Sequence, residues 1–206
     1  MTIVNSEVVR GWAGVSKANC KKIDLSYLDV EKLNYGVIPR GSGLSYGDCA
    51  ILEGGYILNN NGNLIQLDEF GFVTVSGGVQ IYELLNFLAK FEKTIDVLPG
   101  TSLATIAGCI ANDIHGKNHF KMGSFFSQVV EFTLITPHDN VEYICNNQEN
   151  LDLFYNTPGA CGLTGIIKNV TLRTAKMASK LDLYVDKYHS PNDLIIDLLK
   201  KSSSTD

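Results

Sequence analysis

Two segments concentrate the groups that could hold or transform a ligand. Pro39, Arg40, Gly41, Ser42, Gly43, Leu44, Ser45, Tyr46, Gly47, Asp48 and Cys49 follow one another without a break. A second stretch runs from Pro99 and Gly100 through Thr105, Ile106, Ala107 and Gly108 to Asn112, Asp113, Ile114, His115, Gly116, Lys117, Asn118 and His119. Each offers clustered main-chain N–H groups beside small side chains, the combination that lets a phosphate approach closely. Two such segments suit a large anion gripped at two places, and a dinucleotide meets that description better than a single phosphate.

Within the first segment, Arg40 sets a charge beside the glycines, Ser42 and Ser45 add hydroxyls, and Tyr46 adds an aromatic face with a phenol. The segment lacks the Gly-Lys-Ser/Thr ending of a P-loop. It also does not open a long helix after a first strand, as a Rossmann fingerprint does. In the second segment His115 and His119 stand four residues apart, but Gly116 interrupts the helix that would align them and no third ligand is evident. No metal site is expected. Lys117, polar-flanked and next to a glycine, is more notable than the solvated pair Lys21 and Lys22. A third glycine cluster, Gly159 to Gly165, leads into Ile166 and Ile167. It reads either as a tight turn entering a buried strand or as main-chain amides facing a heterocycle. No GxSxG elbow supports hydrolase chemistry.

The elements that must position these groups follow from hydrophobic period. Short apolar runs bounded by glycine or asparagine predict strands near Gly36–Ile38, Tyr56–Asn59, Leu64–Leu67 and Phe72–Ser76, with a turn over Asp68–Gly71. Ile81, Leu84, Leu85 and Leu88 follow helical spacing within Val79–Phe91. A strand is expected over Thr94–Leu98, stopped by Pro99-Gly100, and a helix over Ser102–Asn112 with the serine as cap. Val129–Thr136 and Val141–Cys145 read as a hairpin across residues 137–140. A short helix over Asn150–Asn156, strands over Gly165–Thr174 and Leu181–Val185, a helix over Pro191–Lys201 and a frayed tail from Ser202 complete the chain. This mixture lacks regular βαβ alternation, so the expected class is α+β.

The 206 residues carry a net charge of −5 and 45% hydrophobic content. That balance allows one domain or two small lobes and argues against a nucleic-acid surface, which needs a basic face. The amino terminus lacks a secretion signal, and no run reaches the roughly 18 apolar residues of a membrane span. Cys20, Cys49, Cys109, Cys145 and Cys161 form no CxxC pair, which fits free thiols in a reducing cytoplasm, with peripheral membrane attachment as the alternative location.

Together, Gly11-Trp12, Arg40 to Asp48, Leu98 to Thr101, Ile110 to His119, Gly123 to Phe125 and Gly162 to Ile167 resemble the FAD-binding domain of the vanillyl-alcohol oxidase (PCMH-type) flavoproteins. The resemblance covers most of Gly11 to Thr174. It implies two small α+β lobes holding an extended FAD, a domain over residues 1–175 with its lobe boundary near 98–102, and a truncated or divergent C-terminal segment over 176–206. It further implies that Pro39 to Cys49 wraps the pyrophosphate, that Gly100, Thr105 to Gly108 and Asn112 to His115 line the rest, and that Ile167 lies at the far side. The first glycine loop has no histidine of the kind that carries flavin covalently in some relatives, so FAD is expected to be dissociable. Tyr46 and Lys117 are implied to face the substrate side, where a sugar or polyol alcohol, free or lipid-linked, would be oxidised. Leu44, Ala107 and Ala160-Cys161 depart from the family pattern. Family members also carry a further substrate domain, for which there is no room after Thr174. The alternatives are a non-catalytic flavin-binding module, half of a split enzyme completed by a partner chain, or a nucleotide-binding regulator without redox chemistry.

Overall fold

The computed structural model describes residues 6–27, 36–136 and 141–204. Its strands form two main sheets. The first takes β1 (Ser6–Arg10), β2 (Lys17–Asp24), β3 (Val37–Pro39) and β4 (Tyr56–Asn59) in the order β1-β2-β4-β3. β1 and β2 are antiparallel, whereas β4 runs parallel to both β2 and β3. The second takes β5 (Ile65–Leu67), β6 (Phe72–Ser76), β8 (Val129–Ile135), β9 (Glu142–Asn146) and β10 (Ile166–Arg173) in the order β5-β6-β10-β8-β9, antiparallel throughout. β7 (Lys93–Thr94) and β11 (Ala175–Lys176) form a separate pair. An antiparallel sheet covered by helices, beside a mixed sheet, agrees with α+β.

The passage between sheets falls between Asn59 and Ile65, whereas the lobe boundary expected near 98–102 lies among segments packed on the five-stranded sheet. β10 is central there because its residues alternate Val170 and Leu172 into the core. Helix α1 (Ile81–Ala89) buries Ile81, Leu84 and Leu88 against the same core, and Glu83 closes its first turn by accepting from the Gln80 N–H at 2.8 Å. A separate cluster of Ile23, Leu58, Ile135 and Ile166 joins the two sheets.

Three expected elements change. Over Thr94–Leu98 only Lys93–Thr94 is a strand, because Val97 finds its partner in a side chain. The buried Gln128 carboxamide accepts from the Val97 N–H and donates to its carbonyl, both at 3.0 Å. The helix expected from Ser102 begins later: α2 spans Ile106–Ala111 with Thr105 as cap. The Ser102 and Ala104 carbonyls instead accept from Tyr82 and Ile81 at the start of α1. No strand forms over Leu181–Val185, which is exposed and without regular structure. β1 and β2 were not expected at all. Two short helices, α3 (His119–Met122) and α4 (Leu151–Asn156), precede α5 (Pro191–Ser204), which takes in part of the tail expected to fray; residues 205–206 and the hairpin turn at 137–140 lie outside the described residues.

Candidate functional site

The three glycine clusters converge on one open cleft of about 1030 Å³. The first loop leaves β3 at Pro39, and the Arg40 N–H donates to Leu58 O at 2.9 Å. The Arg40 guanidinium then turns beneath the loop and donates to Ala50 O and Arg10 O, each at 3.0 Å. Gly43 sits directly over it at φ +69°, where a Cβ would overlap the guanidinium. Ser42 Oγ donates to Leu103 O at 2.6 Å and accepts from Gln80 Nε2 at 2.8 Å, while Ser45 Oγ accepts from Asn112 Nδ2 at 3.3 Å. These bonds fix the loop by its side chains. The N–H groups of residues 41–46 donate to no protein group among the described residues.

The third cluster closes the floor. Cys161 N–H donates to Ala111 O at 2.7 Å, and Gly162, at φ +85°, lies so near Pro39 that a Cβ would stand 2.6 Å from its Cγ. At one end of the cleft the exposed Tyr46 ring packs edge-on to Trp12, with centroids 5.0 Å apart. His115 also borders the cleft and packs tilted against His119, with ring centroids 5.0 Å apart.

Of the residues expected to hold the ligand, Pro39 to Tyr46, Cys49, Gly100, Thr105, Ala107, Gly108, Asn112 to His115 and Ile167 border the cleft. Gly47, Asp48 and Lys117 do not, and Ile106 is buried in the core. Lys117 is exposed, two residues beyond His115. Sequence reasoning gave no site role to Asn59, Asn60, Gly77, Gly78, Gln80 or Glu83. The run of asparagines at the end of β4 was the available signal for the first of these.

The charged side chains bordering the cleft are Arg40, Glu83 and Asp113. Two acceptors there, Asn59 Oδ1 and Asp113 Oδ1, are buried without a hydrogen-bond partner among the described residues. Such atoms call for a donor, which a ligand can bring. Cys109, on the inner side of α2, is fully buried, and that burial pushes its thiol up to about 12. Among the described residues no group of three or more His, Cys, Asp or Glu could hold a metal, and no helix is long and apolar enough to cross a membrane.

The sequence profile of the FAD binding domain matches residues 28–142. Decaprenylphosphoryl-beta-D-ribose oxidase of Mycolicibacterium smegmatis is 39% identical over 140 residues, covering 66% of this chain and 30% of the oxidase. D-arabinono-1,4-lactone oxidase of Debaryomyces hansenii is 34% identical over 106 residues, covering 52% and 19%. Cytokinin dehydrogenase 2 of Arabidopsis thaliana is 29% identical over 147 residues, covering 69% and 29%. The chain thus spans under a third of the length of these relatives. The cleft fits FAD: the unbonded N–H groups of 41–46 suit a diphosphate, and the two orphaned acceptors suit the hydroxyl and amine donors of its sugar and ring portions. On its profile match and its glycine-built cleft, this chain belongs to the FAD binding domain family.

Proposed function

We propose that this chain is the FAD-binding part of a flavin-dependent oxidoreductase that oxidises a sugar or polyol alcohol, with FAD held non-covalently. The observation that carries the reading is the first glycine loop. Arg40, Ser42 and Ser45 spend their side chains on the protein, while the N–H groups of six successive residues that border the cleft, 41–46, donate to no protein group among the described residues, in a chain of the FAD binding domain family. Two relatives named as oxidases of a ribose and of an arabinonolactone point to a carbohydrate substrate. The loop carries no histidine, which supports dissociable cofactor.

FAD, when bound, supplies a two-electron acceptor for the hydride of a carbinol carbon. The residues of this chain would orient and polarise around it. Tyr46, held edge-on by Trp12 with its phenol in solvent, would set the substrate hydroxyl. Lys117, exposed just beyond His115, would steady negative charge developing on the substrate oxygen.

A second reading is favoured by residues 181–199. Leu181, Leu183, Tyr184 and Val185 are exposed in a stretch without regular structure, and α5 exposes Ile195, Ile196, Leu198 and Leu199. Such a surface suits a module whose substrate half is carried by a complementing chain.

The test is to mix the purified chain with FAD, remove free cofactor, and record the flavin spectrum. Retained colour is expected, and its absence rejects both readings. Bleaching by an anaerobic polyol or lipid-linked pentose without a partner supports the first reading; bleaching only with a partner supports the second. Lys117→Ala should retain FAD but slow reduction about tenfold or more; unchanged stopped-flow rates would remove its role.

A further inference from the structure

We infer that α5 pairs with α5 of a second copy of this chain, antiparallel and about a two-fold axis. The helix is covered on the wrong side for a monomer. Leu194, Ile195, Leu198 and Leu199 share one stripe at helical spacing, with Ile196 at its border, while Asp193, Asp197, Lys200 and Lys201 take the other side. From Lys176 to Ser202 every residue is exposed except Tyr188, Ser190 and Asp197. Those three meet on the charged side. The Tyr188 hydroxyl donates to Asp197, Lys201 Nζ lies 2.7 Å from Asp197 and 2.5 Å from Asp186, and Ser190 Oγ donates to Asp193 at 2.7 Å. The segment before the helix thus folds over its charges and leaves the apolar stripe open.

The order of the charges selects the occupant. Both acids of the helix, Asp193 and Asp197, precede both lysines, Lys200 and Lys201. Asp193 and Lys200 stand seven residues apart, two turns, so they lie on the same flank beside Ile196. In an antiparallel pair centred between Ile196 and Asp197, Asp193 of each copy faces Lys200 of the other, while Leu194 and Ile195 meet Leu199 and Leu198. A parallel pair would set Asp193 on Asp193 and Lys200 on Lys200. Antiparallel pairing also opposes the two helix dipoles.

A lipid surface is a poorer fit. A helix lying on one carries an excess of Lys and Arg on its polar side, whereas here two acids balance two lysines. The five apolar side chains of α5 make a small contact by themselves, since a standard interface takes roughly 800 Å² from each partner. Leu181, Leu183, Tyr184 and Val185, exposed a few residues ahead of the helix, add apolar surface to it.

The test is sedimentation equilibrium of the full chain from low to high micromolar concentration. Expected is a mass rising toward twice 22.6 kDa, with Leu198→Asp monomeric throughout and the body of the chain still folded by circular dichroism. Each cross-pair occurs twice, so Asp193→Lys or Lys200→Asp alone should weaken the dimer about tenfold, and the two together in one chain should restore it. A wild-type chain that is monomeric at every concentration overturns the pairing and leaves the stripe to a complementing chain. A monomer that binds phosphatidylserine vesicles overturns it in favour of a lipid surface. A dimer that survives Leu198→Asp overturns it by placing the contact elsewhere, and single charge variants that dimerise as well as wild type overturn the antiparallel register. A dimer that retains no FAD supports the pairing while sinking the cofactor reading.

Discussion

In the first wall of the cleft, residues 39–50, the protein consumes the side chains: Arg40 on two carbonyls, Ser42 on Leu103, Ser45 on Asn112. In the second wall, residues 105–114, it consumes the main chain. There Ile106, Ala107, Asp113 and Ile114 donate their N–H groups to Val79, Gly77, Ile110 and Cys109, and the Asp113 carboxylate keeps an unpartnered oxygen. One wall therefore presents peptide dipoles and the other side-chain acceptors. A ligand with an anionic middle and hydroxyl-bearing arms can satisfy both at once. The first wall carries Gly41, Gly43 and Gly47 and the second Gly108 alone, and the two walls serve different ends.

The sharpest way to break this contrast is Gly43→Glu. The new side chain has to occupy the space of the Arg40 guanidinium at a left-handed φ, so the loop collapses as a donor array and FAD content should fall to background. Flavin-to-protein absorbance ratios check it; undiminished FAD would show that the loop is not the diphosphate wall. Arg40→Met is next. It keeps the aliphatic stem but strands two carbonyls, and should lower unfolding free energy by about 2–4 kcal/mol in urea titrations while weakening FAD. A loss of FAD affinity with no loss of stability would mean that Arg40 acts directly on the ligand.

The smallest effect concerns the second wall. Cys109 is held neutral by burial, with its thiol pushed from an ordinary 9.0 up to about 12. Below about pH 9 it is protonated in both folded and unfolded chains, and its contribution is fully present. As pH rises further the unfolded chain releases a proton that the folded chain keeps, so stability falls until about pH 12. The slope is at most about 1.4 kcal/mol per pH unit. Urea titrations at pH 9 and pH 10 should show this drop, and Cys109→Ala should remove about that share of it. An identical slope in the variant would assign the loss to other groups.

Where one local signal decided the outcome, the sequence was readable. The apolar spacing of Ile81, Leu84 and Leu88 marks α1, and the β-branched run into Thr171 marks β10, though only the fold makes that strand central. The glycine loop, read as a binding segment from its small residues and clustered N–H groups, borders the cleft. What stayed hidden depends on distant partners. β2 buries only Ala18, Cys20 and Ile23 among lysines and an aspartate, so its alternation is faint. Val97 pairs with a glutamine thirty-one residues away rather than with a strand, and no local pattern announces that. Nor does residue type announce where the charge that Arg40 sets beside the glycines goes: its guanidinium is tied to two main-chain oxygens.

The near-absence of available cations at the first loop has a further consequence. Peptide N–H groups locked in place hold no exchangeable counterions, so occupying them releases almost none. Cofactor affinity should consequently stay nearly flat from dilute buffer to molar sodium chloride, unlike ligands gathered by lysine-rich surfaces. An acidic protein of this kind would keep its cofactor by shape and fixed dipoles, and changes in the ionic surroundings would leave that grip intact.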